Sequence, residues 1–160
     1  MIKNVMKGKY EGAQILGVHL EGPFINREYK GAQMEEHIQR PSIDNYLNLT
    51  HGFEDIVKHI TVAPEVEGAE ELIKYLKDKG ITVSMGHTGA DYDTCMKAFE
   101  WGVSHVTHCY NGMVSLHHRN PGVIGAAFDR EGITVELITD LIHIHPAMLR
   151  LAIKAKGAGG

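Results

Sequence analysis

Twice in succession this chain repeats one unit, a helix, a glycine, a short apolar strand and a histidine, and that repeat narrows the fold more than any other feature. In the first unit Ala69, Leu72, Ile73 and Leu76 recur at helical spacing, with Glu70 four residues before Lys74. Gly80 supplies a left-handed stop, and Ile81-Thr82-Val83-Ser84-Met85 is a buried strand running out at His87. In the second, Asp91 caps a helix whose inner face is Tyr92, Cys95, Met96 and Phe99. Gly102 ends that helix, and Val103 to Thr107 is a strand delivering His108. Successive strands joined by crossover helices run parallel, and their C-terminal ends collect at one edge of the sheet.

The remaining segments extend the pattern. Gln14 to Leu20 is expected to be a strand entering Glu21-Gly22-Pro23, and Ile56 to Val62 another, ending at Ala63-Pro64-Glu65. A fifth, Ile133 to Ile138, leads into Thr139-Asp140-Leu141-Ile142-His143. Met1 to Lys7 reads as the tail of a helix with Ile2, Val5 and Met6 inward. The last helix opens at Pro146, packs Leu149, Ala152 and Ile153, and stops at Gly157. The expected fold class is α/β, a partial (β/α)8 TIM-type barrel of about five parallel strands with crossover helices. A closed barrel takes about 250 residues, so residues 1–160 are expected to form one incomplete barrel domain of a larger protein.

Composition removes several function classes. A net charge of −4 without a basic stripe argues against a nucleic-acid partner. No apolar run approaches the ~20 residues of a spanning helix, and Met1-Ile2-Lys3-Asn4-Val5 lacks the apolar core of a signal peptide. Cys95 and Cys109 form no CxxC or disulfide framework, which suits a reducing cytoplasm.

The chemistry gathers at the strand ends. Glu21, His87 and His108 each follow a short apolar run, and one carboxylate with two imidazoles is the protein share of a zinc centre that keeps a position open. Singly, each has an ordinary reading, a capping carboxylate or a structural histidine; two histidines at equivalent points of consecutive units favour a shared ion. Arg119, in the loop His117-His118-Arg119-Asn120-Pro121-Gly122, is either a solvated cation or a clamp for an anion. Asp140 and His143 either orient a polar substrate or form a buried hydrogen-bonded pair. Glu65 reads as a rim residue without chemistry, His37, His51 and His59 as structural, and Cys109 as packing on the face opposite His108.

The segments His19-Leu20-Glu21-Gly22-Pro23-Phe24-Ile25-Asn26, Lys30-Gly31-Ala32-Gln33, Thr61-Val62-Ala63-Pro64-Glu65, Gly86-His87-Thr88, Thr107-His108-Cys109-Tyr110-Asn111-Gly112-Met113 and Asn120-Pro121-Gly122 resemble, in order and spacing, the N-acetylglucosamine-6-phosphate deacetylase family of the amidohydrolase superfamily. The resemblance implies a metal-dependent hydrolase converting N-acetylglucosamine 6-phosphate to glucosamine 6-phosphate and acetate. It implies that Glu21, His87 and His108 hold a divalent ion, zinc or iron. Ala32 and Gln33 match the loop that contacts the sugar phosphate, and Asn111 and Gly112 contact the sugar. Arg119 matches the phosphate-binding arginine, which can reach across a homodimer interface, and His143 the substrate-binding histidine after the seventh strand. On this mapping the chain supplies strands three to seven. The small β-sandwich domain, the first strands and the last strand lie elsewhere, as does the catalytic aspartate, expected beyond Gly160; the chain alone is then expected to be inactive. One departure is Leu141, where the family pattern Asp-Gly-Xaa-His carries glycine. The alternatives are another amidohydrolase, acting on a cyclic amide or dipeptide that would leave Arg119 without a phosphate, or a non-catalytic module binding metal or sugar phosphate.

Overall fold

A computed structural model describes residues 2–8 and 11–157. The elements are α1 (Ile2–Met6), β1 (Val18–Glu21), α2 (Ile43–Thr50), β2 (Val57–Val62), α3 (Ala69–Asp78), β3 (Thr82–Met85), α4 (Tyr92–Trp101), β4 (Val103–Val106), α5 (Gly122–Asp129), β5 (Thr134–Val135) and α6 (Pro146–Lys156). The five strands form one parallel sheet in sequence order.

Register explains how the sheet divides into two faces. Leu20, Ile60, Val83 and Val103 lie in one row across the strands, and Val62, Met85, Val106 and Val135 in another. These rows pack against Leu72, Ile73 and Leu76 of α3, Cys95, Ala98 and Phe99 of α4, and Val123, Ile124, Ala126 and Ala127 of α5. Between them runs a polar row, Glu21, Thr61, Ser84, His105 and Thr134. Alternation puts this row on the face away from the helices, the interior side of a barrel wall. An irregularity between β3 and β4 pairs Val83 with Val103 but Ser84 with His105. It passes over the exposed Ser104 and returns His105 to the polar row.

Helix ends follow the expected chemistry. Asp91 accepts the Thr94 amide at 2.8 Å, and Gly80 adopts φ +73° after α3. Four expectations change. The strand expected over Gln14–Leu20 is confined to Val18–Glu21, with Ile15 and Leu16 exposed, because among the described residues β1 pairs on one side only and its register already breaks at Val18. The Ile133–Ile138 strand shrinks to Thr134–Val135, although Glu136 still bonds the Val106 carbonyl at 2.9 Å. In α6, Ala152 is buried but Ile153 is exposed and Leu149 only partly covered, since α6 turns a single narrow stripe inward. In α1, Ile2 is exposed, while Val5 and Met6 are partly covered; Met1 lies outside the described residues. No helix among the described residues is long and apolar enough to cross a membrane.

Candidate metal centre

His87 and His108 occupy equivalent positions, just past β3 and β4, and both leave the extended conformation there with φ +49° and +30°. Left-handed backbone in a residue with a side chain costs about 1 kcal/mol and collects at functional sites. Gly86 permits the turn, since a Cβ would lie 2.9 Å from Thr61 Cγ2 and 3.0 Å from Thr107 Cβ on the neighbouring strands. Glu21 arrives at the end of β1, ahead of a cis Gly22-Pro23 bond.

The three side chains converge. Glu21 Oε1 lies 2.8 Å from His87 Nε2 and 3.1 Å from His108 Nε2, and the two Nε2 atoms are 3.1 Å apart. The rings meet edge to face at 87°. Each Nδ1 has a backbone carbonyl, Tyr29 O at 2.7 Å from His87 and Asn111 O at 3.0 Å from His108. A carbonyl only accepts, so both Nδ1 atoms carry the proton and a neutral ring presents a lone pair at Nε2. Two lone pairs and a carboxylate oxygen then face one another within 3.1 Å, an arrangement that a cation completes. This donor set, two nitrogens and one oxygen, fits a divalent metal ion. Burial draws the Glu21 carboxyl upward, but the protonated forms of His87 and His108 would donate to it and attract it strongly enough to leave the group below the usual range. The His87 side chain is 8% exposed and His108 16%, against 42% for Glu21, so the site is walled by imidazole and open on the carboxylate side.

Gly112 packs against this centre. At φ +63°, it would place a Cβ 3.2 Å from His87 Nδ1 and 3.4 Å from His108 Cε1. Its carbonyl accepts the Thr88 amide at 3.1 Å. Asn111 holds His108 through its carbonyl, and its side-chain Nδ2 is buried with no partner among the described residues. Gln33 donates to the Glu21 carbonyl at 2.9 Å, while its neighbour Ala32 is exposed.

Among the described residues, the Arg119 and His143 side chains make no hydrogen bond to Glu21, His87 or His108. Arg119 lies in an exposed loop beside Asp91 and Asp93, and among the described residues its guanidinium pairs with no carboxylate. His143 Nδ1 donates to Asp140 Oδ2 at 2.6 Å. Asp140 also accepts the amides of Ile142 and His143, and with the His143 side chain these bonds bring its carboxyl down to about 2. Both residues are exposed, which removes the buried-pair reading.

Two features escaped the sequence. Glu65 accepts from Asn26 Nδ2, Thr88 Oγ1 and the Gly89 amide, so it is bound into the loops around His87. A second group, His19, His59 and Glu136, lies on the interior face. Its His19 and His59 rings stack at 3.9 Å and 3°, so their in-plane lone pairs run side by side, unlike the edge-to-face pair of His87 and His108. Strand alternation was the available signal for His59, because it lies two residues before Thr61 on the same face.

No protein-family model matches the chain. It is 45% identical over 92% of its length to N-acetylglucosamine-6-phosphate deacetylase from Bacillus subtilis, and 41% identical over 97% to the Bos taurus protein of that name. The chain is a relative of the N-acetylglucosamine-6-phosphate deacetylases. It is also 39% identical over 88% of its length to N-acetylgalactosamine-6-phosphate deacetylase from Escherichia coli O157:H7. Among solved structures, the Thermotoga maritima N-acetylglucosamine-6-phosphate deacetylase superposes with a TM-score of 0.81 over 91% of this chain at 40% identity. A Mycobacterium smegmatis variant in complex with N-acetyl-D-glucosamine-6-phosphate superposes with 0.85 over 88% at 33% identity. The chain covers 39% and 37% of those two structures, and 37% and 40% of the Bacillus subtilis and Bos taurus relatives. Its five parallel strands with crossover helices thus form a partial (β/α)8, TIM-type barrel.

Proposed function

We propose that the protein containing these residues removes the acetyl group from N-acetylglucosamine 6-phosphate, releasing glucosamine 6-phosphate and acetate, with Glu21, His87 and His108 holding a divalent ion. The observation that carries this is the meeting of two Nε2 lone pairs and a carboxylate oxygen, each imidazole fixed from behind by a backbone carbonyl. Zinc suits two nitrogens and an oxygen, and iron shares those ligands. An amide is a poor electrophile and water a poor nucleophile; a bound divalent ion supplies Lewis acidity toward both.

The residues of the chain then bind and orient. Tyr29 and Asn111 keep both imidazoles in the Nδ1–H tautomer, and the buried Asn111 Nδ2 donates to the sugar beside the Gly112 backbone. Ala32 and Gln33 face the sugar phosphate from the loop after β1. Arg119 binds the phosphate of a substrate held across a homodimer interface. His143, steadied by Asp140, orients a polar group. Asp140 does not serve as the general base, since its two oxygens are already taken by the His143 ring and the Ile142 and His143 amides. Glu21 is committed to both histidines, so we assign the base to an aspartate outside residues 1–160, on the eighth strand of a complete barrel. The chain corresponds to strands three to seven, with the other strands and a small β-sandwich domain contributed elsewhere. Two unpaired, buried cysteines suit work in the cytoplasm, and neither nucleic acid nor membrane is a partner.

The test is a zinc titration of this chain against a competing chelator, with acetate release measured on the chain and on a full-length form. One zinc per chain is expected, with affinity lowered at least about tenfold in Glu21→Gln. Turnover is expected only in the full-length form, faster on N-acetylglucosamine 6-phosphate than on its galacto epimer. A chain that binds no zinc, or a full-length form that releases no acetate from either epimer, would overturn the proposal.

A further inference from the structure

We infer that Glu65 is the positioning residue for His87, joining the loops that set both the ring and the backbone of that ligand. The inference rests on the metal reading of Glu21, His87 and His108.

One Glu65 oxygen accepts from Asn26 Nδ2 at 2.8 Å and from the Gly89 amide at 2.6 Å; the other accepts from Thr88 Oγ1 at 2.5 Å. Thr88 and Gly89 directly follow His87, so the carboxylate grips the chain where it emerges from the left-handed turn. Asn26 works from the other side. Its amide donates to the His87 carbonyl at 3.0 Å, and its side-chain oxygen accepts the Glu28 amide at 2.9 Å, capping the turn Arg27–Tyr29. That turn ends at the Tyr29 carbonyl, the acceptor for His87 Nδ1 at 2.7 Å. The ring of Tyr29 fills the space beside Gly89, where a Cβ would come within 2.6 Å.

His87 is therefore held at three points, and each leads back to one carboxylate. The Tyr29 carbonyl orients the ring through a turn capped by Asn26, the Asn26 amide holds the His87 carbonyl, and Thr88 and Gly89 hold the following backbone. Thr88 is fully buried and its amide reaches the Gly112 carbonyl, so the same network touches the glycine between the two rings. His108 is supported differently: its Nδ1 meets the Asn111 carbonyl three residues on, while Glu136 takes the His108 amide through a long 3.4 Å carboxylate contact and the Cys109 amide at 2.8 Å through its carbonyl. The two rings are thus oriented differently, that of His108 by its own local turn and that of His87 by a turn tied to a distant carboxylate.

Cobalt(II) is the probe, because its visible absorption reports ligand geometry as well as binding. Glu65→Ala is expected to weaken Co2+ binding about 10–100-fold and to change the visible bands of the loaded protein. Glu65→Gln keeps one acceptor oxygen for Asn26 and Gly89 and is expected to lose far less. Thr88→Val removes the hydroxyl partner, and combined with Glu65→Gln its loss is expected to be less than the sum of the two. Wild-type affinity and spectrum in Glu65→Ala would overturn the inference. Should Glu65→Ala fail to fold, strict additivity of the Glu65→Gln and Thr88→Val losses would overturn it instead. Failure of the unsubstituted chain to bind Co2+ would overturn the metal reading itself, an outcome distinct from variants that match a binding parent.

Discussion

Gly112→Ala, compared with Gly132→Ala, tests whether the two imidazoles are packed to a common point or merely lie near one another. Both glycines are left-handed, at φ +63° and +77°, so an alanine at either strains the backbone by about 1 kcal/mol. Their surroundings differ. A methyl at position 132 meets nothing within 4 Å, whereas at 112 it lies 3.2 Å from His87 Nδ1, 3.4 Å from His108 Cε1 and 3.5 Å from His87 Cε1. Comfortable carbon contacts begin near ~3.5 Å, so the rings must retreat by a few tenths of an ångström. Neither has an easy way back, since Tyr29 O and Asn111 O sit behind their Nδ1 atoms at 2.7 and 3.0 Å. Metal bonds tolerate about ±0.2 Å, so a retreat of that size should cost about 1.4 kcal/mol of binding, a tenfold loss. Chelator competition with zinc measures the affinity, and urea unfolding of the metal-free forms measures the backbone cost. Both variants should unfold about 1 kcal/mol more easily, and only Gly112→Ala should bind zinc about tenfold more weakly. Equal zinc affinity in the two variants would refute the packing reasoning.

Two further outcomes follow from strain and burial elsewhere. Leu141 adopts φ +64° with its side chain largely exposed, so Leu141→Gly should relieve about 1–2 kcal/mol of strain, lose about 0.5–1 kcal/mol to backbone entropy, and net about 0.5–1 kcal/mol of stability by urea midpoint; no gain over Leu141→Ala would count against it. Burial, then the charges of His19 and His105, bring the His59 imidazole down to about 4 from 6.5, against a smaller upward pull from Glu136. The unfolded chain takes up that proton first, so the stability from neutral His59 is complete above about pH 6.5 and lost as pH falls toward about 4. Discounted for a half-exposed ring, the loss is about 1–2 kcal/mol, and His59→Gln should lose that much less than the parent in urea titrations across the window; parallel pH profiles would refute it.

The central repeat was legible because two periodicities and a punctuation mark agreed. Helical spacing put Ala69, Leu72, Ile73 and Leu76 inward, and all four are buried; Gly80 and Gly102 then end their helices in left-handed turns. The outer strands were read too long because apolar composition does not say where a ladder stops. β1 and β5 pair on one side only among the described residues, so little holds Ile15, Leu16 or Ile138 in register. Two helices went unread for opposite reasons. α2 carries Asp44, Asn45 and Asn48, poor helix formers, and depends on the Ser42 cap and the burial of Tyr46 and Thr50. α5 contains Gly122 and Gly125 and buries residues around most of its circumference, which erases the polar stripe that marks a surface helix.

The site divides along the same line. Glu21, His87 and His108 could be found because side-chain identity carries their chemistry and each ends a strand. The groups that aim them are backbone: the Tyr29 and Asn111 carbonyls have no signature in residue type, and any residue at those positions would present the same oxygen. Glu65 is the intermediate case. Its type is informative, but its partners Asn26 and Thr88 lie 39 and 23 residues away, and only the fold puts three donors on one carboxylate. The polar row on the interior face links the two levels. Thr61 and Ser84 each hydrogen-bond Thr107, at 2.8 and 2.6 Å, one residue before His108, so the row that no helix can cover becomes the floor on which the rim stands. Shifting β3 or β4 by a single residue would turn its part of that floor apolar and swing His87 or His108 toward the helices, so register in the middle of the sheet and geometry at its edge are one constraint.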